Sequence, residues 1–132
     1  MGTRQPTVQV TIVAANAKTL FGLQTYLSQA GLGTRGTRRL GSLDSGTCSA
    51  IVFFPDEFSC NDVLREVTRL RRDRPTMLQL LVTREPQRYA ELTDADGPEL
   101  VPIVIPKPAW GWTILDAIRL AVEPLNGGAT VR

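Results

Sequence analysis

Four short apolar runs, set well apart along the chain, limit its fold more than any other feature of the sequence. They are VQVTIVA at 8–14, AIVFF at 50–54, MLQLLV at 77–82 and VPIVI at 101–105. Short runs that are apolar at nearly every position are typical of strands buried on both faces of a parallel sheet. The sequence therefore predicts that these four segments are strands of one sheet.

Stretches with the apolar spacing of amphipathic helices lie between and after these runs. Helices are predicted over 16–31, from about 61 to 74 and over 112–122, with a further short helix that begins at Pro86. The first of them begins at a capping asparagine and ends at a glycine, as helices commonly do.

The segment 32–46 is rich in Gly, Ser, Thr and Arg and has little apolar pattern. It predicts a short edge strand near 32–37 and, at most, a shortened second helix. Strands and helices then alternate along the chain, which indicates a doubly wound α/β fold: a parallel five-stranded sheet with helices on both faces. In such sheets ligands bind at the carboxyl ends of the strands, so we expect a functional site there.

Length, charge and composition limit the possible functions. The 132 residues suit one domain, predicted at 8–122, with an N-terminal tail at 1–7 and a flexible C-terminal tail at 123–132. The chain contains no histidine, which excludes Ser-His-Asp and Cys-His catalysis and imidazole metal ligands. A net charge of +2 is too small to argue by itself for nucleic acid or an anionic membrane as a partner.

The cysteines and the apolar pattern predict a cytoplasmic location. Cys48 and Cys60 flank a predicted extended strand. That places them too far apart for an intramolecular disulfide, and we expect two reduced thiols. No apolar stretch approaches the length of a membrane span.

Three motifs at predicted strand ends resemble the receiver domain of bacterial response regulators. IVIPKPAW at 103–110 resembles the last receiver strand, so that Lys107 matches the family lysine. LLVTREP at 80–86 places Thr83 at the position of the switch threonine or serine. VTIVAANAKTLFGLQTYLSQAG at 10–31 is similar to the first receiver strand and helix. The resemblance implies a CheY-like fold and a role in two-component signalling.

The departures from this family concern its phosphorylation pocket. Receivers carry an acidic pair after the first strand, and the matching residues here are Ala14 and Ala15. Two methyl groups cannot hold Mg²⁺, which requires oxygen ligands, and Asn16 can supply only one amide oxygen. The family's phosphoacceptor aspartate ends the third strand, where this chain has Phe54 and Pro55, with Asp56 just beyond. We therefore expect a degenerate pocket, formed by Ala14, Ala15, Asn16, Asp56, Thr83 and Lys107.

Aromatic residues near the last predicted helix suggest a surface for partner binding. Trp110 and Trp112 follow the last strand, and tryptophan is enriched at binding hot spots. We expect a contact face centred on these two residues and on Tyr89, with Arg84 and Arg88 as a polar rim.

These features lead to one main hypothesis and two alternatives. The chain is interpreted as a pseudo-receiver, a phosphorylation-independent protein-interaction module that is not an enzyme and has no cofactor. Its expected partner is another protein or a second copy of itself, not nucleic acid, a membrane or Mg²⁺. One alternative is a divergent receiver phosphorylated at Asp56, with Thr83 and Lys107 assisting. The other is a flavodoxin-like domain that binds a small ligand in the cleared pocket.

Overall fold

A parallel sheet with helices on both faces forms the frame of the molecule. The computed structural model describes residues 8–40, 49–74, 76–93, 102–107 and 109–127. The strands are β1 (Gln9–Val13), β2 (Gly33–Thr37), β3 (Ala50–Phe53), β4 (Leu78–Thr83) and β5 (Ile103–Pro106). The α-helices are α1 (Ala17–Gln29), α2 (Cys60–Asp73) and α3 (Gly111–Gly127). Two short 3-10 helices, which we call the acidic turn and the 3-10 segment, occupy Pro55–Glu57 and Pro86–Thr93.

The order of the strands confirms the predicted fold class. The five strands pair in the order β2-β1-β3-β4-β5, and every neighbouring pair is parallel. The weakly patterned segment near 32–37 does form the edge strand β2. Because all strands run in one direction, the carboxyl ends of β1, β3, β4 and β5 lie along one edge of the sheet, which we call the carboxyl edge.

Two apolar clusters cover the two faces of the sheet. On one face, α1 and α3 contribute Leu27 and Ile118, which pack in the same cluster as Leu80 of β4. On the other face, α2 contributes Val67, which packs with Leu81 of β4. Neighbouring residues of β4 thus face opposite clusters, as the alternation of side chains along a strand requires. This two-sided burial explains why the strands are apolar at nearly every position.

The predicted ends of α1 are present in the structure. The Asn16 side-chain oxygen accepts the backbone N–H groups of Lys18, at 2.9 Å, and Thr19, at 3.1 Å, which is the bonding of an N-cap. Gly31 has a φ of 98°, a left-handed conformation that glycine adopts without steric cost. The cap at Asn16 places the start of α1 directly after the end of β1.

Other predicted boundaries differ from the structure or lie outside the described residues. Helix α3 continues to Gly127 and so passes the predicted start of the flexible tail at 123. The remainder of that tail, the tail at 1–7 and the segment 41–48 are not described.

Two further sequence features concern the thiols and the membrane. Cys60, at the start of α2, is a free thiol, and Cys48 lies outside the described residues. None of the helices in the described part of the chain is long and apolar enough to cross a membrane.

One buried polar side chain in β4 is incompletely bonded, and its replacement is expected to stabilise the fold. Gln79 is 2% exposed and donates from Nε2 to the Val67 carbonyl at 3.3 Å, while its Oε1 has no partner among the described residues. Gln79→Met keeps the length of the side chain and removes the unsatisfied oxygen. We expect the free energy of unfolding to rise by about 1 kcal/mol, measured by urea denaturation. The matched control is Gln29→Met, at an exposed position of α1. An equal gain in the control, or a loss in Gln79→Met, would contradict this account.

Candidate functional site

The carboxyl edge brings together three of the polar residues singled out in the sequence. Thr83 is the last residue of β4, and Lys107 directly follows β5. The register pairs Thr83 with Pro106, and the Lys107 backbone N–H donates to the Thr83 carbonyl at 2.9 Å. The acidic turn follows β3, the neighbour of β4, and carries Asp56 to the same edge.

Both carboxylate oxygens of Asp56 are occupied by donors from β4, β5 and the loop after β4. Oδ1 accepts the Thr83 hydroxyl at 2.6 Å. Oδ2 accepts the Arg84 backbone N–H at 2.9 Å and lies 3.4 Å from the Lys107 ammonium. The side chains of Asp56 and Lys107 are 24% and 23% exposed, so water competes only in part for this pair. Hydrogen bonds to an ionised acceptor are stronger than neutral ones, and this carboxylate accepts several.

These contacts determine the ionisation of Asp56. Partial burial alone would raise the pKa of Asp56, but the Thr83 hydroxyl, the Arg84 N–H and the Lys107 charge together lower this pKa below its ordinary value. The carboxylate is therefore charged at neutral pH. Because the pKa of Asp56 is lower in the folded state than in the unfolded state, the ionised carboxylate stabilises the fold. This stabilisation is fully present above the unfolded-state pKa and is lost as the pH falls through the folded-state pKa.

The donors around Asp56 are themselves held in place. Thr83 is fully buried, and its Oγ1 also accepts the Glu85 backbone N–H at 3.0 Å. The Lys107 ammonium lies 5.7 Å from the centroid of the Phe54 ring, within the range of a cation–π contact. The Thr83 hydroxyl, the Arg84 backbone N–H and the Lys107 ammonium therefore all face the Asp56 carboxylate at the carboxyl edge.

The end of β1 contributes no carboxylate to this edge. Ala14 is buried and Ala15 is half-buried, and both bond through their backbone atoms: the Ala14 N–H donates to the Thr37 carbonyl, and the Ala15 carbonyl accepts from the Arg38 side-chain Nε. Although Asn16 was expected to offer an amide oxygen, that oxygen already caps α1. Within the described residues, no three His, Cys, Asp or Glu side chains are grouped as a metal site would require.

The second carboxylate of the acidic turn has a partner that the sequence did not predict. Glu57 Oε1 accepts the Asn16 backbone N–H at 2.8 Å. Asp56 and Glu57 therefore bond in two directions, to the ends of β4 and β5 and to the junction of β1 with α1. Glu57 was visible in the sequence only as the neighbour of Asp56, and nothing in the sequence indicated this contact.

The structure resembles solved receiver domains over nearly its whole length. A CheY-like response regulator receiver domain from Methanospirillum hungatei aligns with a TM-score of 0.71 and 15% identity, covering 92% of this chain and 98% of that one. A signal receiver domain of an HD domain-containing protein from Pseudomonas fluorescens gives 0.70 and 18%, covering 96% and 94%. A response regulator from Thermotoga maritima gives 0.68 and 13%, covering 89% and 99%. No protein-family model and no curated protein matches the sequence.

The chain has the CheY-like receiver fold. The structural resemblance predicted from the three sequence motifs is therefore confirmed. In this receiver fold, the carboxyl edge carries alanines after β1. The turn after β3 carries Asp56, whose carboxylate bonds to Thr83, Arg84 and Lys107.

A small cleft opens beside Asp56 on the α2 side of the receiver fold. Its volume is about 300 Å³. It is lined by Pro55, Asp56, Phe58, Cys60, Arg84, Glu85, Arg88 and Tyr89. The Arg88 guanidinium is paired with Glu85 at 2.6 Å, so the charges in the cleft partly neutralise each other. The cleft does not reach the alanines after β1, where the small-ligand alternative would place a pocket.

A cluster of exposed aromatic rings lies where α3 begins. Trp110 and Trp112 are 58% and 56% exposed, and their rings stack with centroids 5.4 Å apart and planes at 12°. Between them, Gly111 lies against Tyr26 of α1: a Cβ atom at this glycine would come within 2.9 Å of the Tyr26 ring. We call Tyr26, Trp110 and Trp112 the aromatic patch.

Tyr89 is not part of this surface, and its predicted place in the contact face is wrong. It is 2% exposed and belongs to the cluster on the α2 side, whereas α1 and α3 cover the opposite face of the sheet. The 3-10 segment departs from helical geometry at Tyr89, where φ is −113° and ψ is 16°. The prediction assumed that the short helix carrying Tyr89 lies beside the tryptophans, whereas the Tyr89 ring packs on the α2 side. The predicted rim residues, Arg84 and Arg88, line the cleft beside Asp56 instead.

Proposed function

We propose that this chain is a signalling module that binds a protein partner through a receiver fold and does so without being phosphorylated. The observation that carries the proposal is that the donors of the carboxyl edge already bond to Asp56. A transferring phosphoryl group requires donors and cations to stabilise its charge. Here Thr83, Arg84 and Lys107 serve an internal carboxylate.

The chemistry of the β1 end supports the same conclusion. Transfer of a phosphoryl group to a receiver depends on a divalent cation that bridges acidic ligands and the incoming group. Ala14 and Ala15 supply no side-chain oxygen, and the amide oxygen of Asn16 is bonded within α1. Asp56 and Glu57 accept hydrogen bonds from different partners, Thr83 and the Asn16 backbone N–H.

A second candidate function has one observation in its favour. Asp56 lies within bonding distance of Thr83 and Lys107, the two residues that match the switch and lysine positions of receivers. A donor molecule that reached Asp56 from the cleft side would meet a charged oxygen nucleophile. This arrangement favours a divergent receiver phosphorylated at Asp56 over the small-ligand alternative.

Treatment with acetyl phosphate and Mg²⁺ is expected to leave the protein unmodified, since the end of β1 supplies no carboxylate for the metal and the donors of the carboxyl edge are bonded to Asp56. Intact-mass spectrometry tests this directly, with a receiver that has the complete acidic pocket as the positive control. Ala15→Asp, which returns one carboxylate to the β1 end, is the matched variant and should improve Mg²⁺ binding measured by calorimetry. An adduct that maps to Asp56 and is lost in Asp56→Asn would establish the second candidate.

The aromatic patch is the surface through which we propose that the partner binds. Two indoles that are more than half exposed present a large apolar area, and their mutual stacking restricts the motion of both. Binding then orders few additional side-chain torsions, which lowers the entropic cost of association. The patch is formed by α1 and the start of α3, so a partner or a second copy of the chain would dock against these helices.

A further inference from the structure

The acidic turn and its surroundings have the composition of an occupied anion site. Three donors of different kinds meet there: the buried Thr83 hydroxyl, the Arg84 backbone N–H and the Lys107 ammonium. Hydroxyl, backbone amide and ammonium donors directed at one point are the usual means by which proteins bind carboxylates and tetrahedral oxyanions. The group at that point belongs to the chain itself.

We propose that Asp56 is a built-in ligand of this oxyanion site, which keeps the site filled and the loop after β4 in one conformation. The inference rests on the proposed function, in which Asp56 stays unmodified and its carboxylate remains the acceptor for these donors. It extends that function by assigning a role to the carboxylate. Asp56 replaces an external anion, and the molecule needs no modification to order the Thr83–Arg84 loop.

The bonding of Glu57 shows why Asp56 is an effective internal ligand. Glu57 ties one end of the acidic turn to the Asn16 N–H at 2.8 Å, and Pro55 fixes the backbone at the other. Asp56 lies between these two fixed points, so little conformational freedom is lost when its carboxylate meets the donors. A free anion would have to displace a tethered group of the same charge, and we expect it to fail at ordinary concentrations.

Removal of the carboxylate should therefore expose a functional anion site. In Asp56→Ala, Thr83, the Arg84 N–H and Lys107 lose their shared acceptor. Unpaired donors near the protein interior are costly, and an oxyanion that restores the bonds is favoured. The probe is inorganic phosphate, and the readouts are calorimetry, Tm and the chemical shift of the Arg84 amide.

We expect Asp56→Ala to bind phosphate with a Kd of about 1–10 mM, at least about tenfold tighter than the unmodified chain. Phosphate should raise the Tm of this variant by a few degrees and should not raise that of the unmodified chain. Adding Lys107→Met to Asp56→Ala should abolish the gain. The matched control is Asp62→Ala, which removes an exposed carboxylate of α2 that is paired with exposed Arg65 at 3.2 Å.

Three results would overturn the inference: equal phosphate binding by the unmodified chain, no binding by folded Asp56→Ala, or a similar gain in Asp62→Ala. Should Asp56→Ala fold poorly, Asp56→Asn retains the shape of the side chain. In Asp56→Asn the Arg84 amide resonance should move upfield from its position in the unmodified chain, and an unchanged resonance would also count against the inference. These outcomes are independent of the acetyl phosphate experiment. Phosphate binding can fail while the chain still resists modification, which would overturn the internal ligand and leave the proposed function standing.

Discussion

Tyr89→Ala is expected to lower the free energy of unfolding by about 3–5 kcal/mol, the usual cost of removing a large aromatic side chain from a core. Tyr89 is 2% exposed and belongs to the α2-side cluster with Val63, Val67 and Leu81. Burial raises the pKa of the Tyr89 hydroxyl above its ordinary value, and a hydrogen bond with Cys60 adds to this effect. The residue thus fixes the 3-10 segment, which follows Thr83, onto the sheet.

Urea denaturation followed by circular dichroism measures this loss, and the Tm should fall by about 10 °C or more. Tyr89→Phe is the control, because it keeps the ring and removes only the hydroxyl. Its cost should be about 1 kcal/mol. Equal effects of the two substitutions would mean that the hydroxyl, and not the packing of the ring, holds the 3-10 segment. A loss below about 1 kcal/mol in Tyr89→Ala would show that the ring is exposed in solution.

Most of the sheet could be predicted from the sequence because its strands are buried on both faces. Double burial makes almost every position of β1, β3 and β4 apolar, and that composition distinguishes such strands from surface elements. The edge strand β2 has the sequence GTRGT and little apolar content. Its composition gives little sign of a strand, because an edge strand is held by backbone pairing on one side, a property that side-chain composition does not report.

The sequence predicts which residues of the receiver pocket are missing, but it does not predict how the remaining residues are arranged. The alanines after β1 are visible in the sequence itself, and they show that the carboxylates of the receiver pocket are missing. The orientation of Asp56 depends on the acidic turn, in which Pro55 starts a 3-10 helix and brings a residue beyond the strand end back toward Thr83. Sequence spacing does not reveal that this turn brings Asp56 back to Thr83, so the contact between the two side chains could not be predicted.

The aromatic residues show a second limit of sequence patterns. The prediction for Tyr89 places its short helix beside the tryptophans, but the ring is buried in the cluster on the α2 side of the sheet. Tyr26 lies on α1, far from Gly111 in sequence, and is close to this glycine only because α1 and α3 cover the same face of the sheet. Contacts between distant helices follow from topology, which the sequence specifies only through the whole fold.

Trp110→Ala and Trp112→Ala are each expected to weaken partner binding about thirtyfold or more, corresponding to the roughly 2 kcal/mol of a hot-spot residue. The physical reason is that each indole has more than half of its surface exposed in the free chain and would lose that exposure in a complex. The stacked geometry, at 5.4 Å, means that removal of one ring also frees the other to move. The lost contact area and the added motion of the second ring both weaken binding. Neither tryptophan belongs to the two core clusters, so folding stability is expected to stay the same.

The measurement pairs affinity with stability for every variant. If the chain self-associates, its affinity is measured by sedimentation. If the chain is monomeric, the affinity is measured by quantitative capture of a bound protein from cell lysate. The Tm of both tryptophan variants should stay within about 3 °C of the unmodified chain, because exposed side chains contribute little to folding. Phe21→Ala is the matched control: Phe21 is an aromatic residue of α1 with 60% exposure. It is five residues from Tyr26, a spacing that places the two side chains on different sides of the helix.

The pattern of losses then decides between two roles for the tryptophans. A contact surface requires that both tryptophan variants lose affinity at unchanged Tm, while Phe21→Ala keeps both properties. Tyr89→Ala should do the reverse and lose stability first, since its ring lies on the opposite face of the sheet. If affinity in the tryptophan variants falls only in proportion to their Tm, the rings stabilise the start of α3 and the partner binds elsewhere on the receiver fold. If affinity does not fall at all, the aromatic patch has no part in binding.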